Sequence, residues 1–288
     1  MKNVQYFAPD TLDEALQLLN KYAPQIHVLA GGTDLVRDMN LEFKIPDNIL
    51  WIGKLPLEYI INDGDNIRVG AATRMQTVGS SPILKEKARA VAQAAGKLAS
   101  PPVRSQATLG GNLCTASPAA DCGCALLGLD ADVVLTHLGG QRVVPLTQFY
   151  LGPNKTVIQP GELMTEIRIR PTGNGEGSAY QKIGRRQAMT LAVLNATSRV
   201  KLDGRGLVDD VSIAVGAAAP TLLRITAAET MLRGKPFSEA AIIEAGEIAS
   251  REINPIDDVH GTVWYRRKVI KVLVSRTLRE AAGMNGGG

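Results

Sequence analysis

Two short stretches, Ala30-Gly31-Gly32-Thr33-Asp34 and Thr108-Leu109-Gly110-Gly111-Asn112, pair adjacent glycines with a hydroxyl or amide side chain. Without a Cβ, successive glycines accept positive φ and bring main-chain N–H groups close to an oxygen, which makes a nest for phosphate. Thr33, Thr108 and Asn112 supply further donors. One such pair alone reads as a tight turn; a second copy in the same chain weakens that reading without removing it. The standard phosphate fingerprints are missing. Gly173-Asn174-Gly175-Glu176-Gly177-Ser178 ends in serine and precedes a strand-like run, and there is no Gly-Lys-Ser/Thr loop, which argues against Rossmann and P-loop readings. Spacing alone gives two loops that clasp an anionic ligand between two subdomains.

The second glycine pair lies in a segment, residues 105 to 135, that also holds all three cysteines, Cys114, Cys122 and Cys124. Clustered thiolates suggest zinc or an iron-sulfur cluster. Their spacing is C-x7-C-x-C, and a four-cysteine set is impossible in this chain; only a non-cysteine ligand such as His137 could complete one. We therefore expect no metal site, and read Cys122 and Cys124 as small buried fillers. His27, His137 and His260 form no recognisable triad or HExxH pattern, and no catalytic residue is assigned.

Several elements must position these loops. Thr11-Leu12-Asp13-Glu14 is a capping box opening a helix to Tyr22, followed by a strand at Ile26 to Ala30 that runs straight into the first glycine pair. Asn48 to Gly53 and Asn66 to Ala72 read as strands, with Asn62-Asp63-Gly64-Asp65 as a turn. Ser81-Pro82 opens one helix to about Leu98, ended by Pro101 and Pro102, and the second glycine pair then falls in a loop. Asp132 to Thr136 and Gln141 to Pro145 form a hairpin around Gly139-Gly140. Residues Pro171 to Gly177 read as a linker between strands at Leu163 to Ile169 and Ser178 to Ile183. Beyond it come an antiparallel pair, Leu194 to Leu202 and Leu207 to Ala217, and helices near 226 to 233, 238 to 252 and 262 to 282.

The composition is that of a globular protein. The chain has 288 residues, 45% apolar and 21% charged, and only 4% aromatic, so aliphatic packing must supply most of the core. A net charge of +4, with a modest basic concentration at Arg266, Arg267, Lys268 and Lys271, is thin evidence for nucleic acid and reads as a solvated or partner-facing helix side. No nucleic acid and no membrane span are expected, because the N-terminus lacks an apolar run and Asp130 and Asp132 interrupt the best later candidate. An odd set of clustered cysteines suits a reducing compartment, and we expect a cytoplasmic protein.

Longer stretches around these loops carry a resemblance. Leu29 to Leu35 and Ala107-Thr108-Leu109-Gly110-Gly111-Asn112-Leu113-Cys114-Thr115-Ala116-Ser117-Pro118-Ala119-Ala120-Asp121, with the Ala99-Ser100-Pro101 approach and Tyr180-Gln181-Lys182-Ile183-Gly184-Arg185-Arg186, are similar in order and separation to the FAD-binding medium subunits of the molybdenum hydroxylases. That family includes xanthine dehydrogenase and aerobic carbon monoxide dehydrogenase. The resemblance spans nearly the whole chain. It implies an α+β fold: a FAD-binding domain of the vanillyl-alcohol-oxidase type at residues 1–173, with subdomains at about 1–55 and 56–173, a C-terminal α+β domain at 178–284, and a flexible tail at 285–288. Non-covalent FAD is the implied cofactor. Val28, Leu29, Ala30, Gly31, Gly32, Thr33, Asp34 and Leu35 with Gly110, Gly111 and Asn112 would hold its pyrophosphate mostly by backbone, assisted by Thr108, and Thr115 and Ser117 fall within the same motif. Asp121 would accept hydrogen bonds from ribityl hydroxyls, and Lys182 would lie at the flavin end.

The implied function is an oxidoreductase subunit that carries electrons. A large partner would hold the molybdenum cofactor and a small partner the 2Fe-2S clusters, and FAD would pass electrons to a final acceptor such as NAD or a quinone. Two alternatives are a free-standing FAD-dependent oxidase or reductase, and a non-redox nucleotide-binding scaffold. Cys122-Gly123-Cys124-Ala125 departs from the commoner family pattern of threonine, small residues and proline after the aspartate, which places the departure beside the cofactor.

Overall fold

The computed structural model describes residues 4–284; the tail expected at 285–288 lies outside the described residues. The chain opens with β1 (Gln5–Phe7), α1 (Leu12–Tyr22), β2 (Ile26–Leu29), α2 (Leu35–Asn40) and β3 (Asn48–Trp51). These strands form an all-parallel sheet in the order β1-β3-β2. Thr11 caps α1 through its hydroxyl, which accepts from the Glu14 amide, while the Glu14 carboxylate accepts from the Asp10 amide at 3.1 Å. The helix thus starts at its capping signal and turns Ala15, Leu16 and Leu19 onto Leu50 and Ile52, a small core of its own.

The middle of the chain supplies β4 (Ile60–Asn62), β5 (Ile67–Gly70), α3 (Met75–Ser80), α4 (Pro82–Lys87), α5 (Arg89–Lys97), α6 (Pro101–Arg104), α7 (Leu109–Thr115) and α8 (Asp121–Gly128). Then follow β6 (Asp132–His137), β7 (Gly140–Pro145), β8 (Tyr150–Gly152), β9 (Lys155–Thr156) and β10 (Leu163–Ile169). Five strands make an antiparallel sheet ordered β4-β5-β10-β6-β7, and β8 pairs with β9. After the proline-glycine linker come β11 (Glu176–Ile183), β12 (Leu194–Leu202), β13 (Val208–Gly216), β14 (Leu223–Arg224), α9 (Thr226–Leu232), α10 (Glu239–Glu252) and α11 (Val263–Ala281). Their antiparallel sheet runs β11-β12-β13-β14, with α10 and α11 on one face and α5 and α8 of the middle region on the other.

Two sequence expectations give way. The single helix from Ser81 to Leu98 is broken at Ala88 (φ −151°, ψ 52°), which divides α4 from α5. The Lys87 carbonyl turns away to accept both the amide and the hydroxyl of Thr172, at 2.8 and 3.0 Å, so tertiary bonding outcompetes continuation of the helix. The cysteine-rich segment is not a loop: it forms α7 and α8, with α8 buried at every residue. Glycine lowers helix propensity, but here it admits neighbours. A Cβ on Gly128 would lie 2.5 Å from Thr197 Cγ2, and the Thr197-bearing strand β12 packs directly on α8.

The basic residues near 266 to 271 are likewise not a uniformly solvated side. Arg266 is only 2% exposed and holds Asp258 at 2.8 Å while donating to the Val193 carbonyl. Arg267 donates to the Ser250 and Ile253 carbonyls, and Lys271 pairs with Glu247. Only sequence-distant partners, invisible to a local charge count, decide this.

Arg199 on β12 locks the C-terminal sheet to the end of α8. Its guanidinium meets Glu176 at 2.7 Å, Asp210 at 2.8 Å and Asp130 at 2.9 Å, and the side chains of Arg199 and Glu176 are both buried. Burial pushes the Glu176 carboxyl up, yet the Gly173 amide and the guanidinium groups of Arg199 and Arg170 outweigh it and hold the pKa below 4.5. Arg199→Met should therefore cost about 3 kcal/mol at neutral pH, as expected for a buried carboxylate stripped of its partner. A group whose folded pKa is depressed contributes stability above its unfolded pKa and loses it as pH falls through the folded value. The gap between wild type and variant in urea midpoints should accordingly narrow as pH falls through the lowered pKa of Glu176.

Candidate functional site

A cleft of about 920 Å³ lies between the N-terminal lobe, the α7 and α8 segment and a turn of the C-terminal domain. That volume falls within the range of small-molecule and cofactor sites. Strand β2 delivers the first glycine pair to one wall. The chain leaves the sheet after Leu29, whose carbonyl accepts from the Ile52 amide, and turns at Gly32 (φ +74°) before the Val36 amide closes on the Gly32 carbonyl at 3.0 Å. Gly31 is required for a different reason: a Cβ there would sit 1.8 Å from the Gln106 carbonyl oxygen, backbone of the segment leading into the second motif. The main-chain amides of Gly31, Gly32, Thr33 and Asp34 have no acceptor among the described residues. Unpaired backbone donors at a cleft wall are strong hydrogen-bonding groups in need of an acceptor.

The second glycine pair behaves otherwise, and the expectation that both loops offer their amides is corrected. Thr108 caps α7, and its hydroxyl accepts from the Gly111 amide at 3.2 Å. The Leu109 amide donates to the Thr73 carbonyl, Gly110 to the Ala71 carbonyl at 2.8 Å, and Asn112 to the Thr108 carbonyl. These donors are spent on the fold, because helix formation and pairing with the 71–73 segment both claim them. Gly110 and Gly111 line the cleft as bare backbone; a Cβ on Gly110 would press within 2.7 Å of the Ala71 oxygen. Asn112 Oδ1, by contrast, is buried without a partner in the wall of the cleft, as is Nδ1 of His27. Burial, reinforced by the nearby charge of Lys44, lowers the His27 pKa, so this ring is neutral at physiological pH.

Thr115 joins the two motifs. Its hydroxyl lies 2.8 Å from Asp34 Oδ2 and 3.0 Å from the Gly111 carbonyl. Asp121, at the first turn of α8, is buried at the cleft floor with both oxygens engaged. One accepts from the Tyr180 hydroxyl and the other from Lys182 Nζ at 2.8 Å. Burial first, and the Asp121 charge second, push the Tyr180 phenol well above its usual pKa, so it remains a donor.

Of the residues singled out in the sequence, Val28, Ala30 to Leu35, Thr108, Gly110 to Asn112, Thr115, Ser117 and Asp121 line the cleft, whereas Leu29 and Lys182 do not. Cys114 faces the cleft, while Cys122 and Cys124 are fully buried, the first against Met75 Sδ at 3.6 Å, the second against the Ala214 carbonyl at 3.5 Å. Burial pushes the Cys124 thiol up to about 12. Among the described residues no three His, Cys, Asp or Glu side chains are grouped to hold a metal ion. Sequence reasoning missed His27 as a wall residue, although it stands just before the glycine loop, and it missed Met189, Thr190 and Leu191, which reach the cleft from the turn between β11 and β12.

Comparison with known proteins places this geometry. Residues 2–172 match the family described as the FAD binding domain in molybdopterin dehydrogenase, and residues 178–281 match the CO dehydrogenase flavoprotein C-terminal domain. The chain belongs to the FAD-binding medium subunits of the molybdenum hydroxylases. It is 32% identical over 277 residues to the 6-hydroxypseudooxynicotine dehydrogenase complex subunit alpha of Paenarthrobacter nicotinovorans, covering 96% of this chain and 93% of that one. It is 31% identical over 278 residues to the carbon monoxide dehydrogenase medium chain of Hydrogenophaga pseudoflava, covering 96% of each. Among solved structures, carbon monoxide dehydrogenase from Hydrogenophaga pseudoflava, in a form lacking the Mo-pyranopterin moiety of its cofactor, superposes with a TM-score of 0.94 at 32% identity over 98% of both chains. The α+β architecture, a FAD-binding domain followed by a C-terminal domain, is thereby shared, and the chain is a subunit of an oxidoreductase.

The cleft fits FAD on its own evidence. A row of free amides suits the diphosphate oxygens, and the orphaned Asn112 Oδ1 suits a hydroxyl or amino donor. Gly31→Ala forces the first loop off the Gln106 backbone and should lower the flavin-to-protein absorbance ratio of the purified chain at least tenfold, with the far-ultraviolet circular dichroism unchanged.

Proposed function

We propose that this chain is the electron-transfer flavoprotein subunit of a multi-subunit molybdenum hydroxylase. It would hold FAD non-covalently and work beside a large subunit with the molybdenum cofactor and a small subunit with 2Fe-2S clusters. Bound FAD supplies the redox chemistry, taking electrons from the partner clusters and giving them to a final acceptor such as NAD or a quinone. The chain's own residues bind and orient. Gly31 to Asp34 present amides to the diphosphate, Asp121 keeps one lone pair on each oxygen for ribityl hydroxyls, and Gly110 and Gly111 leave room for the cofactor to lie close.

The observation that carries this reading is the row of free amides in a cleft whose carboxylates are already committed. Asp34 meets Thr115 and Arg37, Asp121 meets Lys182, and Glu162 meets Arg142 at 2.7 Å. A cleft equipped in this way binds a dinucleotide and contributes no free carboxylate base, which supports substrate oxidation on a partner chain. The named relatives support it too: one is a complex subunit, the other a medium chain. Three free thiols suit the reducing cytoplasm, where the complex would work. No helix among the described residues is long and apolar enough to cross a membrane.

The isolated chain should bind FAD and show a flavin spectrum but turn over no hydroxylase substrate. From native cells it should elute with one larger molybdenum-containing and one smaller iron-sulfur protein. A single chain that oxidises substrate unaided would make it a free-standing flavoenzyme. A colourless chain that does not take up added FAD would make it a scaffold.

A further inference from the structure

Lys182 was expected at the flavin, yet its ammonium is outside the cleft lining and faces the protein. Its side chain is only 7% exposed, and Nζ donates to Asp121 Oδ2 at 2.8 Å and to the Thr190 carbonyl at 3.2 Å. Three parts of the structure meet there. Asp121 opens α8 on the cleft floor, Lys182 rises from β11 of the C-terminal domain, and Thr190 belongs to the turn whose residues 189 to 191 form part of the cleft rim.

That rim does not hold its shape by regular structure. Met189 takes a left-handed conformation (φ +50°), and Met189 and Leu191 are 55% and 52% exposed beside the cleft. A non-glycine residue held in that region is strained and persists only where its surroundings fix it. The fixing contacts are few: Lys182 on the Thr190 carbonyl, Arg186 on the Met189 carbonyl at 2.9 Å, and Gly184, where a Cβ would lie 2.1 Å from Thr190 Cγ2.

We infer that Lys182 is a positioning residue acting through Asp121: it neutralises that carboxylate on the floor of the FAD cleft and ties the 189–191 rim to it. The inference rests on the FAD reading above. Without Lys182, Asp121 remains as a buried anion beside the site of an anionic dinucleotide, and the Tyr180 hydroxyl alone cannot neutralise it. A buried ion pair has a characteristic asymmetry: removing one partner strands a charge and is far more damaging than removing both. Lys182 therefore matters to the cofactor only because Asp121 is charged. A direct ligand would matter whatever stood at position 121.

The test measures FAD dissociation constants by fluorescence titration of the full-length chain for wild type, Lys182→Met, Lys182→Arg, Asp121→Asn and Asp121→Asn/Lys182→Met. Lys182→Met should weaken FAD binding at least tenfold. Lys182→Arg, which keeps the charge, should stay within about threefold of wild type, and in the Asp121→Asn background, where no carboxylate is left to neutralise, Lys182→Met should change FAD binding by less than about threefold, a tenfold change being about 1.4 kcal/mol. If Lys182→Met does not fold, recovery of a folded, FAD-binding double variant gives the same support. The inference is overturned if Lys182→Met stays within threefold of wild type, or if it weakens FAD binding, or prevents folding, as much in the Asp121→Asn background as in the wild-type chain. Failure of the wild-type chain to bind FAD would instead overturn the functional reading itself.

Discussion

The structure depends on a contact between two backbones: Gly31 lies so close to the Gln106 carbonyl that no side chain fits between them. This approach sets the first glycine loop against the segment leading to α7, and Thr115 completes the join by reaching Asp34. The loop is pinned on that side, and its amides from Gly31 to Asp34, on residues that line the cleft, find no acceptor among the described residues. Four donors without protein acceptors are tolerable where a ligand or water meets them. The family to which the chain belongs supplies that ligand as FAD.

The two glycine pairs do different work although they look alike in sequence. The first is a turn with free donors; the second is the opening of a helix whose donors are consumed by Thr108, Ala71 and Thr73. What the second contributes is space, an unpartnered Asn112 oxygen, and the helix that carries Thr115 across to the first loop. The site is thus lopsided, with one wall that donates and one that shapes. The C-terminal domain closes it from a third side through the turn after β11, and it is fastened to α8 by Lys182 near the cleft and by Arg199 at the far end of the helix.

Much of this was legible in the sequence where local chemistry decides. The Thr11 cap, the β6–β7 hairpin around Gly139-Gly140, and strands β10 and β12 fall where capping, turn residues and apolar runs place them. Cys122 and Cys124, read as small buried fillers, are fully buried, while Cys114 is exposed at the cleft. Tertiary contacts hid the rest. The break at Ala88 comes from Thr172, more than eighty residues away, and α7 and α8 escape a propensity reading because their glycines are chosen for neighbours on other elements. Lys182 was found, but its direction was not: whether a lysine faces a cofactor or a carboxylate is decided by where β11 meets α8. The distinction between free and spent amides is invisible in a sequence, since both glycine pairs carry the same residue types.

Amide hydrogen exchange resolved to single residues, followed with and without added FAD, tests the central claim most directly. The account predicts that FAD slows exchange strongly at Gly31, Gly32, Thr33 and Asp34 and leaves Gly110 and Gly111, already protected by protein acceptors, almost unchanged. Protection by FAD confined to the second pair, or absent from the first, would contradict it.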